Sequence, residues 1–190
     1  MKTVIIDNYD SFTFNLVHYI EEILDERPVV LRNDAFEISE LSDFDIIVLS
    51  PGPGLPEEAG KLMEVIASYA SSKIILGICL GHQALGIHFG AKLKNLDTVH
   101  HGVSSEIEIT EKDHFFNNIS NYEVGRYHSW VIDNKTLSSP LICTSKDDNG
   151  EIMSIKHESL PIHGLQYHPE SVLSPEGKNM LANFFDYYKN

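Results

Sequence analysis

The sequence predicts an α/β fold: an open, mostly parallel central sheet flanked by helices, with a smaller antiparallel β portion in the second half. Three observations predict it. Short apolar runs alternate with helical patterns up to Phe89, as βαβ crossovers do. Those runs are apolar throughout, as strands buried on both faces are. Beyond residue 100 the pattern changes to apolar–polar alternation, which suits half-exposed antiparallel strands.

Each element can be argued in turn. Thr3-Val4-Ile5-Ile6 is the first strand and ends at Asp7, Asn8 and Asp10. A helix is expected next, with Asp10 or Ser11 as N-cap, because Phe12, Leu16, Val17, Ile20, Ile23 and Leu24 recur on one face. Val29-Val30-Leu31 and Ile46–Leu49 are the second and third strands. A helix around 60–70 leads to the fourth, Ile74–Ile78, and Leu80 to Phe89 reads as helix again. Residues 103–110, 122–132, 141–145 and 151–156 read as strands, with Asp148-Asn149-Gly150 as a hairpin turn between the last two. Ile162 to Tyr167 returns to an apolar run. A closing helix is expected from about Pro175, with Met180, Leu181, Phe184 and Phe185 inward.

Composition narrows the function classes. The 190 residues carry 14 Lys+Arg against 28 Asp+Glu, a formal charge of −14, which disfavours nucleic-acid and anionic-membrane partners. The length suits one domain over 1–190. No apolar run approaches the roughly 20 residues that span a bilayer. The opening MKTVIIDNYD turns acidic and has no small-residue cleavage site, so a cytoplasmic, reducing compartment is expected. Two cysteines do not make a disulfide scaffold. No His or Cys spacing suggests zinc, so no metal is expected.

The strongest chemical feature is Gly77-Ile78-Cys79-Leu80-Gly81-His82-Gln83, at a strand-to-helix junction. Glycines two positions either side of Cys79 fit a tight nucleophile elbow, where larger neighbours would collide. The helix start beneath Cys79 places the positive dipole end near a thiolate and leaves the Leu80 N–H free for an oxyanion. The plainer alternative is a buried cysteine between packing glycines.

A thiolate nucleophile needs a base, and His168-Pro169-Glu170 follows the late apolar run. In a parallel sheet both segments lie at the carboxyl edge, where such folds place their sites. His168 could move the proton and Glu170 could orient the imidazole; an ordinary H-P-E surface turn is the alternative. Ser50-Pro51-Gly52-Pro53-Gly54 follows the third strand, and its glycines allow close backbone approach to a ligand. It lacks the Gly-Lys-Ser/Thr of a P-loop.

The remaining candidates read as structural. Cys143 fits a strand core, and Trp130 core filling. His100 and His101 lie in a Gly-containing turn, and His18, His88 and His114 at the surface or boundary. Glu57-Glu58 and Asp147-Asp148 read as solvated turns.

Together, residues 77–83, Pro-Gly-Pro-Gly at 51–54 and His-Pro-Glu at 168–170 resemble the triad-type (class I) glutamine amidotransferases. Asp7-Asn8-Tyr9-Asp10-Ser11-Phe12-Thr13-Phe14-Asn15 narrows the resemblance to the amidotransferase subunits of anthranilate synthase and aminodeoxychorismate synthase. Arg126-Tyr127-His128-Ser129 belongs to the same pattern. The resemblance implies the flavodoxin-like class I fold. It also implies hydrolysis of L-glutamine through a Cys79 γ-glutamyl thioester, with His168 and Glu170 completing the triad. Oxyanion donors would come from Gly54 and Leu80. Glutamine contacts would come from Gly52, Gly54, Gln83, Ser129 and Trp130, the last two mainly through backbone. Position 130 is commonly Leu in this family, and position 100 commonly Met.

The resemblance further implies a chorismate-binding synthase subunit as heteromeric partner, fed with ammonia through a dry passage. No cofactor is implied in this subunit, with Mg2+ expected only in the partner. Anthranilate, for tryptophan biosynthesis, is the leading product, with aminodeoxychorismate, for 4-aminobenzoate and folate, the alternative. Two other readings differ in kind. A stand-alone γ-glutamyl thiol hydrolase would need no partner and no Asp7–Asn15 segment. A redox sensor using Cys79 would need neither His168 nor Glu170.

Overall fold

The computed structural model describes residues 1–189. The first half follows the expected alternation. Strand β1 (Thr3–Asp7) leads to helix α1 (Thr13–Leu24), then β2 (Val29–Arg32), β3 (Ile46–Leu49), α2 (Leu62–Tyr69), β4 (Ile74–Ile78) and α3 (Leu80–His88). The second half holds β5 (Leu93–Asn95), β6 (Val103–Ile109), β7 (Glu123–Arg126), β8 (Trp130–Ile132), β9 (Leu141–Asp147), β10 (Ile152–His157) and β11 (Ile162–Leu165). Helix α4 (Gly177–Lys189) follows.

One nine-stranded sheet runs in the order β2-β1-β3-β4-β11-β10-β9-β6-β7, and β5 pairs with β8 separately. The β1–β2, β1–β3, β3–β4 and β4–β11 pairings are parallel. From β11 outward the pairings are antiparallel. The antiparallel portion therefore continues the parallel sheet edge to edge, and β11 is the seam.

Burial follows the strand pleat. Val4 and Ile6 face one core with Leu62, Val65, Leu80 and Leu85 of α2 and α3. Ile5, between them, faces the other core with Leu16, Val17 and Ile20 of α1 and Phe184 and Phe185 of α4. Helices thus cover both faces of the parallel strands, which is why those strands are apolar throughout. Among the described residues no helix is long and apolar enough to cross a membrane.

Several local expectations change. Helix α1 begins at Thr13 with Phe12 at its N-cap position; Asp10 instead accepts the Phe12 N–H at 2.8 Å, closing the turn before the helix. Pro175 lies two residues before α4, whose first residue, Gly177, lies against Pro169: a Cβ at 177 would stand 1.9 Å from the Pro169 carbonyl oxygen. The expected strand at 122–132 is two, β7 and β8, separated by Tyr127-His128-Ser129. Trp130 is only half-buried. Asp147 is no solvated turn residue. Its carboxylate is buried, accepts the Asn149 and Glu151 N–H groups, and meets Arg126 Nη1 at 2.6 Å. That pairing crosses strands, so its sequence neighbours carry no trace of it.

Candidate active site

Four parallel strands deliver the candidate residues to one edge. Strand β1 has β2 on one side and β3 on the other, so the chain changes direction there and opens a crevice at the carboxyl ends. The loop after β1 carries Asn8 to Phe12, that after β3 carries Ser50 to Gly54, β4 ends at Cys79, and β11 leads to His168.

Cys79 sits on the elbow with φ 50° and ψ −98°, a strained conformation for a residue with a side chain. Its flanking glycines are steric necessities. A Cβ on Gly77 would stand 2.5 Å from the Gly81 backbone, and one on Gly81 would stand 2.5 Å from the Leu49 carbonyl oxygen. The elbow is anchored by its own strand pairing. Ile78 lies opposite Leu165 of β11, and the Cys79 N–H donates to the Leu165 carbonyl at 2.7 Å. Leu80 is the first residue of α3, so its N–H belongs to the first turn, whose donors lack intrahelical acceptors. Gly52 lies against both Asn8 and Leu80; a Cβ there would stand 2.6 Å from the Asn8 carbonyl oxygen and 2.9 Å from Leu80 Cδ2. The loop after β3 is thereby held beside the elbow. Gly54, at φ 76°, uses a backbone conformation that favours glycine.

His168 and Glu170 are almost fully buried, at 2% and 1% exposure, and Cys79 retains 6%. His168 Nδ1 meets Glu170 Oε1 at 2.7 Å. The opposite ring nitrogen, Nε2, is buried with no hydrogen-bond partner among the described residues and is the one left for proton transfer. Burial works against a charge on His168, but the charges of the Glu170 carboxylate and the Cys79 sulfur, with the Glu170 hydrogen bond, raise its pKa well above the usual imidazole value. Asp10 adds a second carboxylate, its oxygen within 4.8 Å of the His168 and Glu170 atoms. The His168 backbone is held in turn: its N–H donates to the Gly125 carbonyl at 3.0 Å, and its own carbonyl accepts from Ser174 Oγ at 2.6 Å. The rings of Phe12 and Tyr127 close over the imidazole at 5.6 and 4.9 Å between centroids.

Two of the expected glutamine contacts, Gln83 and the Trp130 carbonyl, lie on a hydrogen-bonded chain that reaches the sulfur. Gln83 Nε2 donates to the Trp130 carbonyl at 2.8 Å and to Gln166 Oε1 at 3.3 Å. Gln166 Nε2 in turn approaches Cys79 Sγ at 3.7 Å. The Trp130 carbonyl also contacts His128 Nδ1 at 3.1 Å, so a ligand reaching that carbonyl would displace one of the two groups. The Ser129 carbonyl accepts the Leu96 N–H at 2.7 Å. His128 is held neutral: burial, then the Arg126 charge, push its pKa down to about 2. Arg126 Nε donates to His128 Nε2 at 3.3 Å, so Arg126 and Asp147 back the Trp130 segment. Sequence reasoning missed Gln166, fully buried two residues before His168. The strand period of two would have placed both on one face.

The arrangement can hold a sulfur nucleophile, a buried acid–base pair and free N–H donors within one crevice, the set that acyl transfer requires. The comparisons agree with that chemistry. A model of the family "Glutamine amidotransferase class-I" matches residues 4–187. The chain is 43% identical over 189 residues to the aminodeoxychorismate/anthranilate synthase component 2 of Bacillus subtilis (strain 168), covering 98% of this chain and 96% of that protein. It is 42% identical over 183 residues to the aminodeoxychorismate synthase component 2 of Escherichia coli (strain K12), covering 95% and 97%. It is 40% identical over 189 residues to the anthranilate synthase component 2 of Mycobacterium tuberculosis (strain ATCC 25618 / H37Rv), covering 97% and 81%. Its fold superposes with TM-score 0.79 on a glutamine amidotransferase crystal structure from Thermotoga maritima, at 16% identity and covering 98% and 97% of the two chains. With a family match across the crevice and all the strands that build it, this chain belongs to the class-I glutamine amidotransferases.

Proposed function

We propose that this chain is the glutamine-hydrolysing subunit of a chorismate-using synthase, with Cys79, His168 and Glu170 as its triad. The Cys79 elbow beside the buried His168–Glu170 pair carries the reading. The Cys79 thiol passes its proton to His168 Nε2, and the sulfur attacks the side-chain carbonyl carbon of glutamine. The negative charge that develops on the oxygen is met by the N–H groups of Leu80 and Gly54. His168 Nε2 gives its proton to the departing nitrogen, the C–N bond breaks, and ammonia leaves behind a γ-glutamyl thioester. His168 then takes a proton from water as it attacks the thioester, releasing glutamate and restoring the thiol. Glu170 holds the ring and favours its charged state throughout. Gly52, Gln83 and the Ser129–Trp130 backbone position the glutamine.

The partner in this reading is a chorismate-binding subunit that receives the ammonia before water protonates it. Anthranilate is the leading product; the relatives include components of both synthases, which keeps aminodeoxychorismate as the second reading. The test is glutamate release from glutamine by the purified chain, alone and with each candidate synthase subunit, together with analysis of the chorismate-derived product. Turnover that rises only with the partner, and vanishes in Cys79→Ser, supports the reading. Full glutaminase activity in His168→Ala would overturn it.

A further inference from the structure

A second cluster of chemistry-bearing side chains lies at the other end of β11. His163, five residues before His168, stands near the start of that strand, at the sheet edge opposite the crevice. Its ring meets Asp113 and His114, where a turn of 3-10 helix (His114–Phe116) follows β6. His163 Nδ1 lies 3.2 Å from Asp113 Oδ2, and His114 Nδ1 lies 3.3 Å from Asp113 Oδ1. One donor atom from each of the three residues falls within 4.8 Å of the others. All three line a cavity of about 840 Å³ that also reaches Tyr187 and Tyr188.

The spacing differs from that of a tight ion pair. The buried His168–Glu170 pair in this same chain closes to 2.7 Å, within the roughly 2.7–2.9 Å range of charge-assisted bonds. Both contacts of Asp113 are half an ångström longer. They end on different oxygens, His163 on Oδ2 and His114 on Oδ1, so the carboxylate stands between the two rings with room for an ion among the three donors.

The surroundings also suit ligation. His163 Nε2 bonds the Tyr188 hydroxyl at 2.8 Å, which orients the ring with Nδ1 toward Asp113, as outer-shell partners of metal-bound histidines do. The His114 ring is stacked on Tyr187 at 4.1 Å, and its Nε2 is buried without a hydrogen-bond partner among the described residues. Lys156, the nearby cation, is turned onto the Lys112 carbonyl.

We propose that Asp113, His114 and His163 form a binding site for one zinc-type divalent ion, held by two imidazole nitrogens and a carboxylate oxygen, with the fourth position open to the cavity. Such an ion would tie the 3-10 turn to β11, and through Tyr188 to α4. The site is separate from the triad and independent of the proposed glutaminase activity.

The test uses the full chain with Cys79→Ser, so that the elbow sulfur cannot compete, stripped with a chelator and titrated with Co2+ and then Zn2+. The expected result is one equivalent bound, a visible four-coordinate Co2+ absorption that Zn2+ displaces, and a thermal midpoint that rises with Zn2+. Asp113→Asn and His114→Gln should abolish the signal, and Tyr188→Phe should weaken binding by roughly tenfold. In the chain with Cys79 intact, His114→Gln should leave glutamine turnover unchanged. Absence of saturable 1:1 binding, or binding that survives both Asp113→Asn and His114→Gln, would overturn the proposal. Should those variants misfold, the stoichiometry and Co2+ spectrum of the Cys79→Ser chain decide it alone.

Discussion

His168 and Glu170, two residues apart in sequence, meet at 2.7 Å between Nδ1 and Oε1 with both side chains withdrawn from solvent. Pro169 between them restricts the backbone, and Gly177 packs against the Pro169 carbonyl, so the pair is held from behind as well as within. The partner carboxylate is a main reason that the imidazole holds its proton.

Glu170→Gln should therefore lower the His168 pKa. The protonated ring is the acid that releases ammonia, so the alkaline limb of the glutaminase pH profile should move to lower pH. His168→Ala, which removes the acid altogether, should cost about 10²–10⁴-fold in kcat. Steady-state rates across pH for both variants check this; an unmoved limb in Glu170→Gln would count against the assigned role.

Gln166 connects Gln83 to the Cys79 sulfur from a fully buried position. Gln166→Leu removes both contacts while keeping much of the volume, and should reduce kcat/KM by roughly 2–10-fold, the worth of one ordinary hydrogen bond. Gln166→Glu puts a negative charge against the attacking sulfur and should cost more than Leu. Equal activity in all three proteins would remove Gln166 from the site.

Arg126 and Asp147 form an ion pair with both side chains only 2% exposed. Asp147→Asn preserves acceptance of the turn N–H groups but strands a buried guanidinium, and should cost about 3–5 kcal/mol in urea unfolding. The double variant Arg126→Met with Asp147→Leu should recover part of that loss, because no charge is then left alone. Failure to recover would mean that the turn bonds of Asp147 matter more than its charge.

Three histidines, His82 and His128 buried and His114 partly so, set an acid response. Burial pushes His82 down to about 3, His114 to about 4 and His128 to about 2. Each is neutral in the folded chain but takes up a proton near pH 6.5 when unfolded. Stability should therefore fall as pH drops from about 6.5 toward 4, by at most roughly 1.4 kcal/mol per pH unit for each group. His168 acts oppositely: its raised pKa stabilises the fold below about 6.5, and that contribution is lost as pH rises through the folded value. Urea unfolding between pH 7 and 5 tests this. His128→Gln should flatten the curve by one proton.

What could be read in advance divides by range of interaction. The elbow was legible because Gly77, Cys79 and Gly81 act within one turn, and the glycine contacts with Gly81 and Leu49 give the steric reason expected. The His168–Glu170 pair was legible because two residues of spacing suffice. Strand β5 was not: three residues, paired only with β8, carry no period to detect. Asp147 looked solvated because its partner, Arg126, stands 21 residues away. Asp113 and His163 are 50 residues apart, and only the folding of β11 beside the 3-10 turn brings them together.

The alignment of β11 with β4 has a practical consequence. Cys79 and Gln166 emerge side by side because Ile78 lies opposite Leu165 in a ladder buried on both faces. A slip of one position would turn every side chain on β11 over, carrying Gln166 away from the sulfur and His168 out of reach together. The geometry of the crevice is thus inherited from ladder hydrogen bonds in the middle of the molecule. A single deletion between Pro161 and His168 should therefore abolish glutaminase activity even in a chain that still folds.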